Sequence, residues 1–159
     1  MKRHLSAEPI AAMDQWPAAD AQGETYKPVG LWYDVDGDWQ RWCEAESFRT
    51  GDFHAYALTV NPASILTLAT CREIDQFTFE YRVRTGAEYR RDYIDWRRVA
   101  SEYDGIEIAP YQWDRRLDYH TRWYYGWDCA SGCLWRPTGL LSWEPLGIVS
   151  VGSREEQVA

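Results

Sequence analysis

Aromatic and β-branched residues crowd residues 29–35 (VGLWYDV), and apolar and polar positions alternate through 53–60 (FHAYALTV). Both patterns predict strands. The apolar run at 63–70 (ASILTLAT) predicts a buried strand, and NPAS before it a hairpin turn joining the two. The period then changes. In REIDQFTFEYRV (72–83), Ile74, Phe77 and Tyr81 recur at a spacing of three to four, which predicts a helix. In YIDWRRVASEY (93–103), Ile94, Trp96, Val99, Ala100 and Tyr103 define the core face of a second one. A third runs from Asp38, as N-cap after the turn DVDGD, through WQRWCEAES, with Trp39, Trp42, Cys43 and Glu46 on one side.

The remaining chain is read more coarsely. RHLSA predicts a short first strand and residues 7–15 a weak helix. RTGAEYRRD and YQWDRRLDYHT read as polar loops. RWYYGWD and CLWRP read as strands joined around CASG, and GLLSWEPLGIVSV as one or two final strands. GSREEQVA is expected to be a disordered tail. The sum is one α+β domain over residues 1–152, with six to eight short strands and three or four flanking helices, followed by a tail at 153–159.

One short segment stands out. In YDGIEIAPY an Asp-Gly turn opens a strand in which Ile106 and Ile108 alternate with Glu107, and a proline closes it. Period-two alternation points Glu107 away from both isoleucines.

Composition narrows the function classes. The 159 residues include ten tryptophans, and aromatics make up 16% of the chain. Most must be core, and the remainder are expected to line a groove suited to flat rings. The formal charge of −8 argues against general nucleic-acid affinity. Charge is uneven: residues 1–60 carry ten acidic and five basic side chains, whereas residues 82–98 carry six arginines against three acids. That arginine-rich stretch suits a phosphate or a carboxylate, or simply a solvated face. No apolar run is long enough to span a bilayer, and the opening MKRHLSAEPI has no apolar signal region. The four cysteines are therefore expected to be reduced, in a cytoplasm. Cys129 and Cys133 have three residues between them, and no His pair stands at ligand spacing, so no metal is expected.

Neither Cys129 nor Cys133 with His120 carries the surroundings of a nucleophile, and their expected role is to pack a hairpin. Glu107 with Asp104 or Glu144 is a carboxylate pair of the kind acid–base chemistry uses, in a chain with many acids. WYYGWDCASGCLW is dense enough in rings to be a hairpin core, a pocket wall or an acceptor-recognition surface.

A third constellation is spread along the chain: His4 in RHLS, Tyr33 in GLWYDV and Glu107 in YDGIEI. This order resembles the ADP-ribosyltransferase superfamily of the diphtheria-toxin and poly-ADP-ribose-polymerase class over roughly residues 3–110. The resemblance implies split antiparallel sheets clasping NAD in a cleft. It also implies cleavage of the nicotinamide–ribose bond, with transfer of ADP-ribose to an acceptor or to water. By the same resemblance, Glu107 stabilises the positive ribose, Tyr33 stacks on nicotinamide and His4 bonds the adenosine-side ribose. Gly30 and Trp32 line the same strand, with Trp32 alternating to the opposite face. Gly105, two before Glu107, replaces the Glu or Gln of the arginine-modifying branch, so the implied acceptor is something other than arginine. A different class of function also fits the composition: an acidic, non-enzymatic protein that blocks a basic partner.

Overall fold

The computed structural model describes residues 1–12, 19–85 and 88–152. Within them the chain is α+β, with a seven-stranded sheet and a three-stranded antiparallel sheet. The large sheet runs β10 (Leu140–Val151), β4 (Gly51–Val60), β1 (Lys2–Ser6), β3 (Leu31–Val35), β9 (Ser131–Leu134), β8 (Gly105–Ile108) and β5 (Ile65–Leu68). The small one runs β2 (Glu24–Thr25), β7 (Glu88–Asp95) and β6 (Arg82–Thr85). The expected tail at 153–159, and residues 13–15 of the weak early helix, lie outside the described residues, and residues 7–12 form no helix.

The helices start where their sequences allow. Helix α2 (Cys71–Tyr81) opens on a capping box: Thr70 Oγ1 accepts from the Glu73 amide at 3.2 Å, and the Glu73 carboxylate accepts from Ala69 N and Thr70 Oγ1. These bonds hold the Glu73 carboxyl below its ordinary pKa. Helix α1 (Asp38–Glu46) begins after Asp36 and Gly37, both at positive φ, so Gly37 is its N-cap and Asp38 its first residue. The Asp38 carboxylate instead accepts from the Ala130 amide at 2.7 Å, tying α1 to the start of β9.

Four readings change. NPAS is no hairpin, because β4 pairs with β1 and β10 while β5 pairs with β8. The β5–β8 pair is parallel, so the large sheet is mixed. Within RTGAEYRRD, Arg84 and Thr85 belong to β6 and Glu88–Asp92 to its antiparallel partner β7, which also takes Tyr93–Asp95 and leaves α3 at Trp96–Glu102. Asp95 caps α3 by accepting from the Arg98 amide. RWYYGWD is mostly a 3₁₀ run, Tyr119–Gly126, preceded by a short helix α4 (Trp113–Arg116). Dense aromatics suit a strand by propensity, but here they are consumed by packing: Trp123 and Tyr124 are fully buried.

Two apolar clusters cover the large sheet. The larger joins Phe77, Trp96, Trp123, Trp127 and Trp135 to Ile106 and Ile108 of β8. The ring centroids of Phe77 and Trp123 lie 5.3 Å apart and those of Trp96 and Trp123 6.0 Å, within the range where ring edges and faces attract. The smaller gathers Leu31, Tyr33, Tyr56, Leu58 and Leu134 on the other face. Trp96, Trp123, Trp127 and Trp135 are thus core, whereas Trp113 is 65% exposed.

The sheet is continuous but weakly joined at one place. Strand β1 pairs with β4 along all five of its residues, from Lys2↔Leu58 to Ser6↔His54. It pairs with β3 at only two, Lys2↔Val35 and Arg3↔Asp34. Beyond Arg3 the two strands part, and the sheet divides into a β10-β4-β1 half and a β3-β9-β8-β5 half.

Candidate functional site

A cleft of about 480 Å³ opens where β1 and β3 separate. Arg3, His4 and Leu5 border it on one side, and Trp32, Tyr33 and Asp34 on the other. Trp39 and Trp42 of α1 reach it, with Phe48 and Phe53 beyond them. The third wall is the turn before β9, with Asp128, Cys129 and Ser131. The volume falls in the range of about 300–1,000 Å³ common for small-molecule sites.

The parting of the strands has a local cause. His4 Nδ1 lies 2.6 Å from the Trp32 carbonyl oxygen, so a side chain takes a carbonyl that a longer β1–β3 ladder would use. That bond raises the imidazole pKa, but burial outweighs it and pushes His4 below its ordinary value. The ring is neutral at pH 7, donates from Nδ1 to the carbonyl and keeps Nε2 as an acceptor.

The floor is polar and fixed. Arg3 reaches Asp34 through Nη2 to Oδ2 at 3.0 Å and Nε to Oδ1 at 3.3 Å. Asp34 is 4% exposed, so its charge depends on this two-point pairing. Trp32 packs edge-on against Trp127, with centroids 4.9 Å apart, and the Lys27 ammonium lies 5.0 Å from its ring. Trp42 packs edge-on against Phe48 at 5.0 Å. Burial lowers the Lys27 pKa, partly offset by the nearby Asp128 carboxylate.

Of the other predicted residues, Tyr33 borders the cleft from β3, Glu107 lies elsewhere on the same sheet and Gly30 just before β3. Tyr33 pairs with Gly132, and Gly132 with Glu107, so the three stand in one row across β3, β9 and β8. The β1–β3 register, carried one step on, sets His4 opposite Tyr33. The Tyr33 ring is 2% exposed and its hydroxyl donates to Glu107 Oε2 at 2.9 Å. Burial and the Glu107 charge push the phenol well above its ordinary pKa, so it stays a donor. Glu107 also pairs with the Lys2 ammonium, is 8% exposed and does not line the cleft. Tyr33 and Glu107 therefore face away from the Trp32 indole, as alternation requires. Gly30 lies against β9, where a β-carbon would overlap the Leu134 carbonyl.

Sequence reasoning gave no site role to Asp34, Asp128 or Arg3. Asp34 was legible as the neighbour of Tyr33 with opposite facing, and Arg3 as the neighbour of His4. Asp128 had no such signal, because the turn that carries it was read as part of a strand hairpin. Cys129 and Cys133 are buried free thiols; burial pushes Cys129 up to about 12 and Cys133 well above its ordinary value. Neither is a thiolate at neutral pH, and His120 is exposed.

Among the described residues no helix is long and apolar enough to cross a membrane. Comparison of the chain with protein-family models, curated proteins and solved structures finds no match.

Proposed function

We propose that this protein is an NAD-dependent ADP-ribosyltransferase-like enzyme that cleaves the nicotinamide–ribose bond and passes ADP-ribose to an acceptor or to water. The observation that carries the reading is the parting of β1 from β3 beside His4, which opens a cleft edged by three half-buried indoles, Trp32, Trp39 and Trp42. Flat, partly exposed rings suit nicotinamide and adenine. His4, held by the Trp32 carbonyl, offers Nε2 to a ribose hydroxyl.

In the reaction the C1′–N1 bond breaks and its electron pair leaves with nicotinamide, neutralising the pyridinium. Positive charge develops on the ribose, and a carboxylate fixed nearby stabilises it. Asp128 lines the cleft and takes that role here. It is held by Arg116, whose Nη2 lies 3.6 Å from Oδ1. The nucleophile then bonds to C1′ and its proton passes to the carboxylate or to solvent. Glu107 acts as a positioning residue, anchoring Tyr33 and hence the strand that carries Trp32.

The test is incubation with labelled NAD, reading nicotinamide release and label transfer, beside thermal shifts with NAD, ADP-ribose and nicotinamide. NAD is expected to raise the melting temperature and Asp128→Asn to abolish release while keeping the shift. A folded protein with neither shift nor release overturns the reading. If that protein instead retained a basic partner at low salt, it would be the acidic blocking protein.

A further inference from the structure

A second, shallower groove of about 870 Å³ adjoins the cleft, and Lys27 lines both. Its walls come from the β2–β3 connection and the 3₁₀ run, and they expose large rings: Tyr26 is 50% exposed, Tyr119 54% and Tyr125 59%. Each ring has a neighbour, Tyr93 for Tyr26, His120 for Tyr119 and Arg116 for Tyr125, and still leaves about half its surface in water. Among the described residues the lining cations are Lys27, Arg116 and Arg122, against one lining carboxylate, Asp92. In a chain of net charge −8 this is a local reversal of sign.

The cations are placed with the rings. The Arg116 guanidinium lies 5.6 Å from the Tyr125 ring centroid and 5.7 Å from that of Trp113. Its Nη2 lies 3.6 Å from the Asp128 carboxylate, a long pairing that leaves the side chain partly exposed. Arg122 pairs with Asp92 at 3.0 Å, but the two side chains are 57% and 39% exposed, so a phosphate can compete for the guanidinium. Among the described residues Lys27 has no ion pair, and its stem covers Gly126, where a β-carbon would touch it.

We propose that this groove binds a single-stranded nucleic acid. Exposed bases stack on Tyr125 and Tyr119, and phosphates meet Arg122, Arg116 and Lys27. Stacking platforms beside a cationic track are what unpaired strands require, because a duplex hides its base faces. The charge pattern favours this polyanion over a peptide. Under the proposed activity, the strand reaches the cleft past Lys27 as the acceptor, a base nitrogen or hydroxyl bonding to C1′ as nicotinamide leaves, with its proton passing to Asp128.

The test uses the full chain without NAD, so its outcome is separate from that of the proposed activity. Anisotropy of labelled mixed-sequence single-stranded DNA and RNA is measured at low salt, beside the matching duplexes, polyphosphate and an acidic peptide. Binding of the single strands is expected with Kd in the ~10⁻⁶–10⁻⁴ M range of sequence-independent binding. Tyr125→Ala and Arg122→Glu are each expected to weaken it about tenfold or more, the first by losing a stacked base and the second by turning a phosphate contact repulsive. Arg72→Glu, in a different groove, is expected to change nothing. Circular dichroism and melting temperature confirm that each variant folds. Absence of strand binding, preference for duplex, undiminished binding by Tyr125→Ala, or binding of the peptide alone would each overturn the proposal.

Discussion

The Tyr33 hydroxyl donates to Glu107 Oε2 at 2.9 Å across Gly132, whose bare α-carbon leaves room for the ring. Glu107 is thus a buried carboxylate with two donors, Tyr33 and Lys2. Glu107→Ala strands both, and is expected to cost about 3–5 kcal/mol, the range for breaking a buried pair. Tyr33→Phe leaves Lys2 in place and is expected to cost about 1.5–3 kcal/mol. Urea unfolding of both variants checks the ranking; a neutral Glu107→Ala would show that the row carries no stability.

Gly132→Ala tests the same row from beneath. A β-carbon at residue 132 would lie inside the van der Waals envelope of the Tyr33 ring. Tyr33 is walled in at 2% exposure and has nowhere to rotate. The expected loss is about 1–3 kcal/mol or more by overpacking. Coupling to Tyr33→Ala, which removes the obstruction, should recover part of it in a double-mutant cycle.

These residues also mark what the sequence reveals. Alternation correctly turned Glu107 away from Ile106 and Ile108, both 0% exposed, and turned Trp32 away from Tyr33. The spacing of Ile74, Phe77 and Tyr81 located the buried face of α2. Alternation fixes only relative facing, however. Which face is open depends on where α1 and the turn before β9 lie, and those are long-range contacts. The NPAS hairpin failed for a similar reason: two neighbouring strands can each pair more favourably with distant ones. The 3₁₀ run at Tyr119–Gly126 was illegible because its aromatics satisfy strand propensity and core burial equally well.

Arg3→Ala should expose the dependence of Asp34 on its partner. Asp34 is 4% exposed and is met by Arg3 at two points. Leaving its charge unpaired is expected to cost about 3–5 kcal/mol. Because Arg3↔Asp34 is one of only two residue pairs between β1 and β3, the NAD-induced thermal shift should fall as well. Arg3→Ala combined with Asp34→Ala should recover stability if the buried charge is the cause, as a melting comparison would show.

Burial holds the folded pKa of His4 below its ordinary 6.5, so the unfolded chain takes up the proton first as pH falls. Stability from this group is therefore present above pH 6.5 and is lost on acidification, until the folded ring also protonates. Melting temperature should drop as pH falls through 6.5, and His4→Gln should flatten that part of the profile. An unchanged slope in the variant would assign the acid sensitivity to other groups.

The joint between the two sheet halves is two residue pairs wide, with His4 and the Trp32 carbonyl at its open end. It works as a clasp more than as a wall. Its tightness sets the aperture between β1 and Trp32, so changes at Lys2 or Val35, neither of which lines the cleft, would alter which molecules it admits while leaving its aromatic lining intact. Selectivity in this fold would then be adjustable from positions outside the cleft wall.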